Sequence, residues 1–479
     1  MKKNIFLYSA LALGMTGMFA SCSSDDVVEV SGGNTGTDAT AQVIEIAVDN
    51  ANSLSTRSGR PLTSEEPDQT IENVAVVITS ADDNIVYVDV IDNWATDEVS
   101  DEYGDNSNTG ANGRSKKITI KKNGDDYRLA AGSNYNVYAI GYSDDTEYTT
   151  DGTTTLKDYF SGLKDNYTGK KFEENFAIKN KAGKPEAEEI FAGSTSIAVP
   201  EEKATFVETV YLHRQVAGIY TYVMEIPYVE VDGSNVANYL RVVAYDNNDN
   251  LVLGHFWTGE QDVNELPGNG NNNGKNANYV VNGYRTAPRT TSTVLYTIDL
   301  TKWFKELKDD NNDGAIDAGV NWIKTADRQI YNKEDLSFTV GSAFGGEFLI
   351  PFLANDDNQT LKLELVYAES ETEAKTAGQG KTGASWNIKL PEAYDHAICA
   401  WETTQWNEVA SETSTTAYSI LRNHLYGVGE RPKNDPGNGG GDPDPDPDNP
   451  DKPQPLKNTQ DVILKVNDNW EVIHHMEIE

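Results

Sequence analysis

The segment that most constrains this chain lies near its carboxy-terminal end. Pro432, Pro436, Pro443, Pro445, Pro447, Pro450, Pro453 and Pro455 are eight of the 17 prolines in a chain of 479 residues. Between them runs Gly439-Gly440-Gly441-Asp442-Pro443-Asp444-Pro445-Asp446-Pro447-Asp448. Alternating Pro and Asp cannot make a helix or a central strand, because proline lacks the amide hydrogen and the like charges repel. Residues 431–457 are therefore read as an extended, solvated linker, in which Pro432 to Pro455 at about 3.1 Å per residue spans about 70–75 Å at full stretch. Beyond it, Val462, Leu464 and Val466 alternate on one face, and Trp470, Val472, His474, Met476 and Ile478 alternate likewise. A strand without sequence neighbours has open backbone groups and an apolar face, and is unstable alone. Residues 458–479 must complete either their own fold or that of another copy.

The second case has a physical consequence. Around five apolar side chains, each contributing about 1.5–3 kcal/mol on burial, would make a slowly dissociating joint. Donor and acceptor would lie at different places on one subunit, so the contact is head-to-tail and grows into a filament.

The body of the chain reads as all-β. Alternating or β-branched runs recur at 74–79, 85–91, 118–120, 135–142, 205–212, 216–224, 239–244, 251–256, 294–300, 361–367, 386–390 and 418–426, separated by Asp-Asn, Asn-Gly and Ser-Gly turns. Helical signal is sparse; Thr301 is read as the cap of a short helix carrying Trp303, Phe304 and Leu307. The length suits two β-sandwich domains, 58–200 and 201–430, with a break at Pro200-Glu201-Glu202-Lys203.

The amino-terminal end reads as an address. Lys2 and Lys3 precede an apolar run ending Phe19-Ala20-Ser21-Cys22, a signal peptide (1–21) whose end resembles a lipobox with Cys22 as the acylated residue. The alternative is an ordinary cleavage site near Ser21. Residues 22–57 then form a propeptide. Within it Val43, Ile44, Ile46 and Val48 mark a short strand, and an exposed-looking loop holds Arg57-Ser58 and Arg60-Pro61. A trypsin-like enzyme cuts the first bond readily and the second poorly. Cutting there would remove both anchor and strand, so the strand could be a plug in the acceptor groove; otherwise it is a permanent edge strand and Arg57 an exposed arginine.

Charge and chemistry narrow the function. The 39 Lys+Arg against 76 Asp+Glu leave a formal charge of −37, unsuited to nucleic acid. Two cysteines, Cys22 and Cys399, give no disulfide framework, and Cys399 reads as a small buried residue. Asp309, Asn311, Asp313, Gly314 and Asp317 match positions of a calcium loop, but Val320 stands where the bidentate acid belongs, so a stabilising Ca2+ competes with a plain acidic turn. The six histidines form no metalloprotease pattern, and no catalytic pair stands out; the chain is read as no enzyme.

The lipobox at Cys22, Ser55-Thr56-Arg57, Glu189-Ile190-Phe191-Ala192-Gly193, Leu212-His213-Arg214-Gln215-Val216-Ala217, Arg422-Asn423-His424-Leu425-Tyr426 and Asn467-Asp468-Asn469-Trp470-Glu471-Val472, in this order, resemble the fimbrillin shaft subunits of type V pili, in the short-fimbria branch. The resemblance implies two transthyretin-like β-sandwich domains. It also implies an outer-membrane lipoprotein precursor cut at Arg57–Ser58 by an extracellular Arg-specific protease, and a donor strand at about Asp461–Glu479 that fills the next subunit's groove. The partners implied are other copies, anchor and tip subunits, with the mature form extracellular in a fimbrium that supports adhesion. A surface glycan-binding lipoprotein, or a pilus tip or anchor subunit, is the competing reading, supported by the many Tyr and Trp residues.

Overall fold

A computed structural model describes residues 41–48, 71–92, 94, 115–124, 126–173, 176–180, 187–202, 204–245, 248–253, 280–285, 292–304, 341–353, 361–389, 399–401, 406–408, 419–431, 452–456 and 462–467. In chain order these carry β1 (Gln42–Val48), β2 (Asn73–Ser80), β3 (Ile85–Ile91), β4 (Ser115–Thr119), β5 (Asn134–Tyr142), α1 (Leu156–Asp165), β6 (Ala177–Lys179), β7 (Phe191–Ala198) and β8 (Phe206–Arg214). Then come β9 (Ala217–Met224), β10 (Tyr239–Ala244), β11 (Asn250–Val252), β12 (Val280–Val281), β13 (Gly283–Tyr284), β14 (Thr293–Asp299), α2 (Leu300–Trp303), β15 (Ser342–Leu349) and β16 (Leu361–Tyr367). The last are α3 (Glu371–Ala374), β17 (Lys381–Lys389), β18 (Cys399–Trp401), β19 (Trp406–Glu408), β20 (Leu425–Val428), β21 (Glu430–Arg431), β22 (Lys452–Pro455) and β23 (Val462–Asn467). The chain is all-β in class, as its turn-punctuated alternation requires.

A seven-stranded sheet has the order β3-β2-β5-β7-β8-β1-β4. The strand β2 is buried from Asn73 to Thr79 without alternation, because both faces of the sheet are covered. Val74, Val76 and Ile78 pack with Ile44 and Ile46 in one core. Ala75 and Val77 pack in another against Leu156, Phe160 and Leu163 of α1. These three helix residues recur at i, i+4 and i+7, one face of a helix, and the Thr155 hydroxyl accepts from the Asp158 amide at 3.2 Å to cap it. This helix was not expected from the sequence.

A second sheet runs β14-β10-β16-β17-β23-β20-β9, with β15 on the other edge of β9 and β22 continuing beside its carboxy-terminal end. Its core gathers Ile219, Tyr222, Leu240, Val242, Leu363 and Trp386. The helix α2 is shorter than expected and is capped by Asp299, whose carboxylate accepts from the Thr301 amide at 2.9 Å; Thr301 lies inside the first turn.

Two boundaries differ from the sequence reading. Pro200–Lys203 does not separate the sheets: β7 and β8 on either side of it belong to the same sheet, and the chain changes sheet at Gln215-Val216. The two halves also share strands, since β6 pairs with β11. The linker is shorter than 431–457. Arg431 pairs with Lys452 and Glu430 with Pro453, and Gln454 lies beside Val223 of β9. Both ends of the Pro-Asp segment are thus held at one place, with Leu456 fully buried just beyond. Proline excludes a strand where it removes a ladder hydrogen bond, and here the Leu456 amide, past the last proline, donates to the Met224 carbonyl at 2.9 Å.

Candidate functional site

The strand β1 lies between two partners that do not touch each other as strands. It pairs in parallel with β8 along its whole length, Gln42 opposite Phe206 to Val48 opposite Leu212. On its other edge it pairs antiparallel with β4, Val43 opposite Thr119 to Ala47 opposite Ser115. Among the described residues β1 is the only strand neighbour of β4. The alternation in Val-Ile-Glu-Ile sends Ile44 and Ile46 inward, both 0% exposed, where each contributes about 1.5–3 kcal/mol on burial.

The start of β1 is fixed by Gln42, itself buried. Its Nε2 donates to the carbonyls of Leu129 and Ala204, each at 2.7 Å, and its Oε1 accepts from the Leu129 amide at 3.1 Å. Taking β1 away would leave a slot about 9.5 Å wide between β8 and β4, one strand spacing on each side. Its floor would be Ile118, Ile120, Phe206, Val210 and Leu212, all in the core that β1 now completes. Both walls would present open backbone groups, the arrangement that captures a strand.

The terminal strand is held differently. β23 pairs antiparallel with β20, Leu464 opposite Val428 to Asn467 opposite Leu425. On its other edge it meets β17 in parallel only at Val462 and Ile463. Of the two cases left open for residues 458–479, pairing within their own fold is the one seen for the strand that carries Val462, Leu464 and Val466. They lie in their own chain's second sheet, because β17 and β20 leave an edge within reach of the tether. Trp470, Val472, His474, Met476 and Ile478 lie outside the described residues, as do Cys22, Arg57, Ser58, Asp309, Asn311, Asp313 and Asp317. Of the plug residues, Val43 is half-buried and Ile44 and Ile46 are buried, with Val48 at the end of the same strand.

Between the two sheets sits a buried polar node that sequence reasoning did not recognise as a site. The Arg214 Nε donates to Glu189 Oε1 at 2.8 Å with both side chains 1% exposed, and Arg214 Nη1 donates to Asn423 Oδ1 at 3.4 Å. Gln215 Oε1 accepts from Arg422 Nη1 at 3.0 Å and from Asn282 Nδ2 at 3.1 Å. The Gln215 amide donates to the Ile190 carbonyl and the Asn423 amide to the Val216 carbonyl, each at 2.9 Å. Gly193 completes the approach, for a Cβ there would overlap the carbonyl oxygen of Tyr211 on β8. Three motifs far apart in sequence thus meet where the chain passes from the slot's wall, β8, to the strand beside β20.

The node has a pH signature. Burial pulls the Arg422 guanidinium down to about 10, so it stays charged at neutral pH. The His213 ring has its Nε2 sealed from solvent, although the residue as a whole is only partly covered. Burial first, and then the Arg422 charge, lowers its pKa from 6.5 to about 4. The unfolded chain therefore binds a proton that the folded chain refuses between about pH 6.5 and 4, so this contribution is full above that window and declines as pH falls through it. Urea midpoints at pH 7 and pH 4.5 should show a smaller acid loss for His213→Gln than for the parent. Equal losses would mean that the ring protonates in the folded state.

No family model matches the chain, and no curated protein matches it. Solved structures with loose likeness include a candidate cell adhesion protein from Bacteroides eggerthii, at 14% identity and TM-score 0.34, covering 91% of this chain and 97% of that one. The fimbrial anchor protein Mfa2 from Porphyromonas gingivalis aligns at 9% identity and TM-score 0.34, covering 91% and 98%. A fimbrial assembly protein from Parabacteroides distasonis aligns at 11% identity and TM-score 0.30, covering 82% and 90%. At this level of likeness none of them assigns a role to this chain.

Proposed function

We propose that this chain is the structural shaft subunit of a cell-surface fimbrium, exported as a lipoprotein on Cys22, cut at Arg57–Ser58 and polymerised head-to-tail as one copy's carboxy-terminal segment enters the next copy's slot. The observation that carries this reading is the placement of β1. It is an interior strand, paired on both edges, yet it precedes the cut site, so one cleavage at Arg57 separates it covalently from the rest of the sheet. The uncut precursor has its slot filled and cannot accept a donor, which keeps it monomeric until it reaches the cell surface.

The own-chain pairing of β23 limits the donor. While Val462–Asn467 stays between β17 and β20, the segment free to cross to a neighbour is 468–479, which spans about 40 Å when extended. Other copies, an anchor and a tip subunit, and an Arg-specific protease are the partners this reading requires.

The test uses the full chain and an Arg-specific protease. Cutting should give SDS-resistant ladders, and Arg57→Ala should leave monomer under the same treatment. Removing 461–479 also removes β23, so the doubly substituted Met476→Asp/Ile478→Asp chain, which keeps β23, is the cleaner block on assembly. Ladders from the Arg57→Ala chain would refute the plug role of β1, and ladders from the Met476→Asp/Ile478→Asp chain would refute the donor role of the tail.

A further inference from the structure

The slot's wall carries a charge that reads the incoming strand. On β4, Lys117 stands opposite Glu45 of β1, and their charged groups lie 3.8 Å apart, with side chains 26% and 21% exposed. On either side of Glu45, Ile44 and Ile46 are 0% exposed. The slot as built therefore accepts an apolar residue, an acid that meets Lys117, and a second apolar residue.

We propose that Met476-Glu477-Ile478 of a second copy enters the slot in the register and direction of Ile44-Glu45-Ile46, with Lys117 selecting that register by pairing with Glu477. This rests on the assembly reading above and adds which residues of the donor occupy which places.

The carboxy-terminal segment offers four triplets with apolar residues two apart. Val462-Ile463-Leu464 brings no charge to Lys117. Leu464-Lys465-Val466 brings a like charge, which is unfavourable directly across a strand pair. Trp470-Glu471-Val472 has the acid, but its indole would have to fit the space of a fully buried isoleucine, and overfilled cores strain their neighbours. Met476-Glu477-Ile478 has the acid and the isoleucine unchanged. Its methionine is close to isoleucine in volume and adapts its shape to the pocket.

Direction follows from Gln42. With the donor running as β1 runs, His474 falls at Gln42's place. A neutral imidazole carries one donor and one acceptor. It can take the Leu129 amide hydrogen and serve one of the two carbonyls that Gln42 now serves. A donor running the other way would put Ile478 at Ile44's place and leave those groups without His474. The surface ion pair adds little to the strength of the joint. Its effect is to separate registers that bury similar apolar area.

Cysteine pairs test this in chains carrying Cys399→Ala, a position 3% exposed in the parent. Lys117→Cys and Glu477→Cys are placed in separate chains and mixed before processing at Arg57, so that a link reports two copies. A short bismaleimide should join them, and should join Thr119→Cys to His475→Cys, since Thr119 stands opposite Val43. Linking to Glu471→Cys should be several-fold weaker. Stronger linking of Lys117→Cys to Glu471→Cys would overturn the register, and linking of Thr119→Cys to Glu479→Cys in place of His475→Cys would overturn the direction. If the processed Cys399→Ala parent forms no ladder, the assembly reading fails and this register with it; ladders with the wrong links leave the assembly reading standing.

Discussion

Glu189→Ala is expected to lower the unfolding free energy by about 3–5 kcal/mol, the usual cost of removing one partner from a buried ion pair. The size follows from what is left behind. Arg214 is 2% exposed as a residue, and Glu189 Oε1 holds its Nε at 2.8 Å. Without the carboxylate the guanidinium keeps Asn423 Oδ1 at 3.4 Å and the Phe191 ring, 5.3 Å from its centroid, neither of which neutralises its charge. Burial already pulls the Arg214 pKa below its ordinary value, with Glu189 opposing that pull. The double variant Glu189→Ala/Arg214→Met should recover part of the loss, because no buried charge is stranded. Urea unfolding followed by tryptophan fluorescence measures both. A loss below about 1 kcal/mol for Glu189→Ala would place Arg214 in contact with water, in the range of exposed pairs.

The same residues show what could be read in the chain before the fold was known. The strands β1 and β23 were legible because their apolar residues alternate, and a period of two is the mark of a pleated chain with one buried face. The all-β class followed from the repetition of such runs between turn residues. The junction between the sheets was not legible. Pro200-Glu201-Glu202-Lys203 has the composition of a linker but is the connection between β7 and β8, while Gln215-Val216, where the chain does change sheet, has no turn residue at all. Glu189, Arg214, Gln215 and Arg422 stand in motifs that carry a resemblance, but nothing in the sequence marks them as touching one another. Their meaning lies in contacts across sequence separations of 25 for Glu189–Arg214 and 207 for Gln215–Arg422. Pairing of β1 with β8 is similarly non-local, and parallel, so no hairpin signal announces it. The helix α1 escaped because its buried residues are only Leu156, Phe160 and Leu163, with Tyr159 partly covered, on an otherwise polar and glycine-containing segment; helix formation there depends on the sheet it covers.

The assembly reading makes a sharper demand on β1 than cleavage alone. Ile44→Asp/Ile46→Asp in the otherwise unaltered chain should produce SDS-resistant ladders without any protease. Ile44 and Ile46 are the two inward residues of β1 whose burial is complete. Replacing them removes about 1.5–3 kcal/mol of apolar burial each, and burying two carboxylates in their place is more costly still, so the strand leaves the slot instead. The ion pair from Glu45 to Lys117 and the bonds of Gln42 remain, but the former is partly exposed and worth at most about 1 kcal/mol. Once β1 has left, β8 and β4 present the same open walls as they would after cutting, and the donor segment of another copy can enter. Size-exclusion chromatography and non-reducing gels of the uncut variant read the outcome. The control is Val43→Asp, a half-buried position on the outward face of the same strand, which should remain monomeric. A folded, monomeric Ile44→Asp/Ile46→Asp chain whose β1 amides exchange freely with solvent would show an open slot that captures nothing, and would remove β1 from the control of assembly.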